Sequence, residues 1–119
     1  MSDLSRIYSE LQLLGVTPNY KGYRQTALAV ELALQNEESL SHITKGVYKA
    51  VAAQTGCTKF SVERNIRTAA HVAWEINPAR LAALAGYPIS SAPSALGLVT
   101  ILVSHIQRAQ PASTESPAP

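Results

Sequence analysis

Apolar residues recur every three to four positions along most of this chain, and no stretch alternates apolar with polar residues. That spacing belongs to helices with one buried face and excludes a half-buried sheet. The chain is therefore expected to be all-α. Its 119 residues fit one domain, and an apolar fraction of 46% with few aromatics predicts a mainly aliphatic core.

Glycine and proline cut the pattern into six segments. Leu4, Ile7, Leu11 and Leu14 define a first helix that Gly15 closes, and "GVTPNYKG" connects it to a second helix from about Tyr23 to Gln35. "NEESLS" reads as a polar turn with Ser39 or Ser41 as a cap. A third helix follows from about Ile43 to Gln54, with Lys45 and Lys49 outward. After "TGCT" comes a fourth, about Lys59 to Glu75. Asn77 and Pro78 suit the cap and first position of a fifth helix, which Gly86 ends. Ser94 can cap a last helix running to about Arg108, with Leu96, Val99, Val103 and Ile106 inward. The expected domain is 1–108. Residues 109–119, small, polar and proline-rich, read as a disordered tail.

The segment "AVAAQTGCTKFSVERNIRTAA" carries the most specific local pattern. Ala52 precedes Gly56 by four residues, and Val62 follows it by six. A small residue, a turn glycine and an apolar anchor at these offsets match a helix-turn-helix. The third apolar anchor would fall near Asn65, and Ile66 takes that role. At 100° per residue, Val62, Ile66, Ala69, Ala70 and Ala73 share one side of the fourth helix, while Phe60, Arg64, Arg67, Thr68 and His71 share the other. Arginine can donate a bidentate pair of hydrogen bonds to guanine in the major groove, and lysines can neutralise phosphates.

The charge distribution agrees. The chain carries +2 overall, whereas residues 45 to 71 hold five basic side chains (Lys45, Lys49, Lys59, Arg64, Arg67) against Glu63 alone, +4 locally. Glu63 and Arg67 are also spaced as an ordinary surface pair. The pattern by itself fits either DNA binding or a helical interaction domain.

Other classes find little support. The chain has no phosphate-binding glycine loop, nucleophile elbow or paired-carboxylate site, so neither an enzyme nor a cofactor is expected. His42, His71 and His105 are too scattered for a metal motif, and the single Cys57 cannot form an internal disulfide. The apolar run "ALGLVTILV" is well short of a membrane span of about 20 residues. A soluble, cytoplasmic protein is expected. Trp74 reads as a core or helix-junction residue. Tyr20 and Tyr23 read as structural, and Lys21 is left open as a backbone contact.

Three motifs add a resemblance. LG-x(5)-KGY at 14–23, VERxIR-x(4)-VAW at 62–74 and GY at 86–87 occur in one order across about residues 5 to 107. They resemble the C-terminal effector domain of the stage-zero sporulation response regulator, protein A. The resemblance implies a six-helix bundle that binds short double-stranded DNA boxes through its helix-turn-helix, often as tandem copies, in transcriptional regulation. Glu63, Arg64 and Arg67 match the family's recognition helix. Thr68 stands where histidine is frequent, and Phe60-Ser61 stands in place of serine-arginine. Family members begin with a receiver domain for which this chain has no room, so a stand-alone effector domain is expected.

The expected roles are base contacts by Glu63, Arg64, Arg67 and Thr68, and phosphate contacts by Lys45, Lys49, Lys59 and His71. A homodimer or tandem arrangement on DNA is possible. The alternative is a protein-interaction module that modulates a regulator without reading DNA, for which the outward Phe60 is the motivating residue.

Overall fold

The computed structural model describes residues 3–108, apart from the side chains of Glu37 and Ser39. The expected tail, 109–119, lies outside the described residues. Six α-helices account for most of the chain: α1 (Asp3–Leu13), α2 (Lys21–Gln35), α3 (Lys49–Thr55), α4 (Lys59–Ile76), α5 (Pro78–Ala85) and α6 (Ala95–Arg108). No strand occurs among the described residues. The all-α expectation holds.

α4 and α2 form the centre, with α1, α3 and α6 against them. The five small or aliphatic residues assigned to the inner side of α4 (Val62, Ile66, Ala69, Ala70 and Ala73) are all buried. They face a core containing Val30 and Ala33 of α2 and Leu98 and Leu102 of α6. Three alanines on α4 let its neighbours approach closely. The closest approach is at Gly22: a Cβ there would lie well inside 3.0 Å of the Asn65 carbonyl oxygen and 3.1 Å from the Ala69 Cβ. Only a glycine fits without moving α2 off α4.

The segment before α3 departs from expectation. Residues Glu37–His42 form a 3₁₀ turn and Ile43–Tyr48 a π-helical turn, so regular α-helix begins only at Lys49. The cap at this polar turn is Asn36, whose Oδ1 accepts from the Glu38 amide at 3.1 Å. Ser41 instead donates to the Glu38 carbonyl at 2.7 Å, and the Ser39 side chain lies outside the described residues. The wide π turn buries Val47 and Tyr48 against the core while leaving Lys45 and Lys49 exposed.

Leu96 also departs from expectation. It is 41% exposed, because it lies in the first turn of α6 at the edge of the buried arc. Its neighbours there are Leu40 and Lys45 around a shallow depression. Val99, Val103 and Ile106 are buried as expected.

A charged cluster ties the far end of the bundle together. Arg80 donates to both Glu10 oxygens at 2.8 Å through Nη2 and to one at 3.1 Å through Nε, and His105 Nε2 lies 3.3 Å from Glu10. This links α5, α1 and α6, at residues up to 95 positions apart that no local pattern relates.

Candidate nucleic-acid interface

α3 ends at Gly56, which adopts a left-handed conformation with φ of 72° and returns its amide to the Ala52 carbonyl. A Cβ at this position would meet nothing within 4 Å. Glycine is therefore favoured here by backbone conformation and not by space. Thr58 then caps α4, its hydroxyl oxygen accepting from the Ser61 amide at 3.1 Å. The turn is three residues long, 56–58, with Ala52 and Val62 buried on either side of it. The helix-turn-helix read from the sequence is present.

A polar network fixes that turn to α2. Gln25, only 5% exposed, accepts from Asn65 Nδ2 at 2.9 Å and donates through Nε2 to Thr55 Oγ1 at 3.2 Å and Cys57 Sγ at 3.3 Å. Thr55 in turn donates to the Val51 carbonyl at 2.8 Å. This explains the polar residue at the position where a third apolar anchor was sought. Asn65 is half-buried and holds α4 to α2 by a hydrogen bond, which in a partly dry site is costly to leave unmade.

On the outer side, Glu63 and Arg67 pair closely: Arg67 Nη1 donates to both carboxylate oxygens at 2.7 and 2.9 Å. Arginine has five N–H donors, and this contact leaves Nε and Nη2 uncommitted. The pair is substantially exposed, so it contributes only about 0.2–0.5 kcal/mol. That is less than the roughly 1–3 kcal/mol of a bidentate base contact. The carboxylate can therefore hold the guanidinium in place without competing with a base for it.

Glu63 also bears on Tyr48. Burial, and then the nearby negative charge of Glu63, push the Tyr48 phenol up to about 12. Its hydroxyl is buried with no hydrogen-bond partner among the described residues. The π turn that carries Tyr48 packs against α4.

The remaining expected contact residues are dispersed around this row. Phe60 is 69% exposed, and the Lys59 ammonium sits 5.5 Å from its ring centroid. Thr68 and His71 are exposed on α4. Lys49 projects from the first residue of α3, while Lys45 lies beside His42 in the depression near Leu96. Arg64 is not paired with an acid; it lines a cleft of about 420 Å³ together with Lys21 and Arg24 of α2.

Arg24, Gln25 and Asn65 were missed from sequence. Lys21 and Arg24 are an i, i+3 pair on one helix face, which is a detectable signal. Gln25 gives none except its polarity within an apolar run. Tyr23 is structural as expected: it stacks on Tyr8 with centroids 4.6 Å apart, and its hydroxyl accepts from Gln12 at 2.8 Å. No group of three potential metal ligands occurs among the described residues, and no helix there is long and apolar enough to cross a membrane.

Fold and surface together define a six-helix domain built around a helix-turn-helix whose second helix presents cations outward. The chain matches the family model of the sporulation initiation factor Spo0A C-terminal domain over residues 7–106 and belongs to that family. The family is one of DNA-binding effector domains of a sporulation regulator, a transcription-factor class and not a class of enzymes.

Proposed function

We propose that this domain, residues 1–108, reads a short sequence in double-stranded DNA by laying α4 in the major groove, and so regulates transcription. The observation that carries the reading is the outward row of α4. Phe60, Arg64, Arg67 and His71 follow one another at helical spacing, and Arg67 is preset by Glu63 with two nitrogens still to donate. Arg64 and Arg67 read bases, and Thr68 meets a base edge. Glu63 orients Arg67 or accepts from a cytosine amino group. Lys45, Lys49, Lys59 and His71 contact phosphates. The family resemblance extends the reading to two copies on tandem boxes, which binding stoichiometry tests.

The test is a titration against a duplex bearing the family's box and against a scrambled duplex, each at two salt concentrations. Tight, box-selective and salt-sensitive binding is the expected outcome. Weak binding without preference refutes the reading.

A second reading is favoured by one observation, the exposed ring of Phe60. It suits a protein interface, and the domain would then bind a regulator instead of DNA. In the DNA reading the same ring packs on a thymine methyl group. Replacing thymine by uracil across the box separates the two, since only the DNA reading predicts a loss that disappears in Phe60→Ala.

A further inference from the structure

We infer that the cleft between the start of α2 and the helix-turn-helix is a second phosphate-contact surface, in which Lys21 and Arg24, beside the base-reading Arg64, grip the DNA strand on the α2 side of the recognition helix. The inference rests on the DNA-binding reading above.

The first support is how the arginines are used. Arg6 pairs with Asp3, Arg67 with Glu63 and Arg80 with Glu10, and Arg108 donates to the Leu84 carbonyl at 2.6 Å. Arg24 and Arg64 alone make no salt bridge or hydrogen bond among the described residues, and both line this one cleft. Lys21 is the third cation there, and none of the lining residues is acidic. Three like charges around a concavity repel one another and attract an anion, and the walls of a cleft concentrate that field.

The second support is position. On α4, Ser61, Arg64 and Asn65 line the cleft, whereas helical spacing puts Glu63 on the opposite flank of α4, and α4 also packs against the π turn. The π turn packs on α4 away from that cleft, with Lys49 exposed at the start of α3. The cleft side is bounded by the start of α2, carrying Lys21 and Arg24. An α-helix about 10–12 Å across fills a major groove about 12 Å wide, so a sugar–phosphate strand runs along each side of it. The α2 flank then meets one of the two strands.

The third support is rigidity. The cleft floor is the hydrogen-bonded set of Asn65, Gln25, Thr55 and Cys57, which fixes the spacing of α2 from α4 before any anion arrives. Phosphate contacts of this kind set register and orientation without selecting sequence.

The test compares the full chain with Lys21→Gln/Arg24→Gln on box and scrambled duplexes over a range of salt. Each phosphate contact contributes about 0.9 to the slope of log K against log salt, so the double variant should lose about 1.8 of slope. Its preference for box over scrambled duplex should stay unchanged, and Lys21→Arg/Arg24→Lys should restore the slope. A duplex with neutral methylphosphonate linkages introduced one at a time should weaken the wild type at linkages where the double variant loses nothing further. An unchanged slope in a double variant that is folded by circular dichroism overturns the proposal. Saturation by inorganic phosphate with no change of slope on DNA also overturns it, in favour of a free-anion site. If the wild type itself shows no salt-sensitive binding, the DNA reading fails first, and that outcome is separately visible.

Discussion

Gly22 is where a single methyl group tests the packing beneath the interface. In Gly22→Ala, the added carbon would fall well inside 3.0 Å of a backbone oxygen, Asn65 O, and 3.1 Å from the Ala69 methyl. Neither neighbour is the end of a flexible side chain, so α2 and α4 must separate. Overpacking of this kind costs about 1–3 kcal/mol, and the gain from replacing a helical glycine by alanine is at most about 1 kcal/mol. Because the clash is with backbone, the upper part of that range, about 2–3 kcal/mol, applies, and the expected net loss is about 1–2 kcal/mol, or a fall in Tm of very roughly 4–15 °C for a domain of this size. Gly46→Ala is the internal control. Its added carbon meets nothing within 4 Å, so it should be neutral or gain about 0.4–1 kcal/mol. Thermal and urea denaturation of both variants give the comparison. DNA titration of Gly22→Ala should also show weaker binding, because Lys21 and Arg24 move relative to Arg64. A Tm for Gly22→Ala at or above wild type, with the urea slope unchanged, would refute the argument that α2 and α4 are in contact limit at this residue.

Three further perturbations bear on the same surface. Gln25→Ala removes the acceptor of Asn65 and the donor to Thr55 and Cys57; a loss of about 1–3 kcal/mol is expected in urea titration, and an unchanged midpoint would show the network to be idle. The Tyr48 phenol is raised to about 12 when folded against 10.0 as the ordinary value, so its contribution is intact below pH 10 and is lost as pH rises from about 10 to 12. Tyr48→Phe should flatten that alkaline loss, and, because the hydroxyl is buried without a partner, should leave neutral-pH stability equal or higher. Arg64→Ala should lose about 1–3 kcal/mol on box DNA and relax base preference, whereas Lys49→Ala should weaken box and scrambled duplexes alike; equal losses on both duplexes for the arginine variant would reverse the assignment.

What was legible in the sequence followed chain-local physics. Val62, Ile66, Ala69, Ala70 and Ala73 fall on one arc because burial requires a 3.6-residue period. Asn77, Pro78 and Gly86 mark the ends of α5 because caps are local chemistry: Asn77 Oδ1 accepts from the Arg80 amide at 3.2 Å, and Gly86 takes a left-handed conformation. The 43–48 segment, expected as the first turns of an α-helix, differs for a complementary reason. The π turn places Ile43 and Val47 toward the core much as an α-helix would. The apolar pattern reports which residues face inward and not which carbonyl each amide chooses.

The interface divides along the same line. The cation row of α4 lies on one helix and could be read from spacing alone. The state of each arginine could not, because it depends on what other elements bring near. Glu63 lies four residues from Arg67 and is readable as a partner, yet only the folded chain shows that one Arg67 nitrogen takes both carboxylate oxygens. Arg64 is 40 residues from Arg24 in the chain and acquires its surroundings only when Gly22 lets α2 close on α4. The same close approach accounts for Asn65: an apolar anchor there would bury more surface but could not donate to Gln25. The helix-turn-helix of this chain is thus held against α2 partly by polar contact. A hydrogen bond fixes direction as well as distance, and direction is what a helix-turn-helix presenting Arg64 of α4 to bases and Lys49 of α3 to a phosphate has to keep.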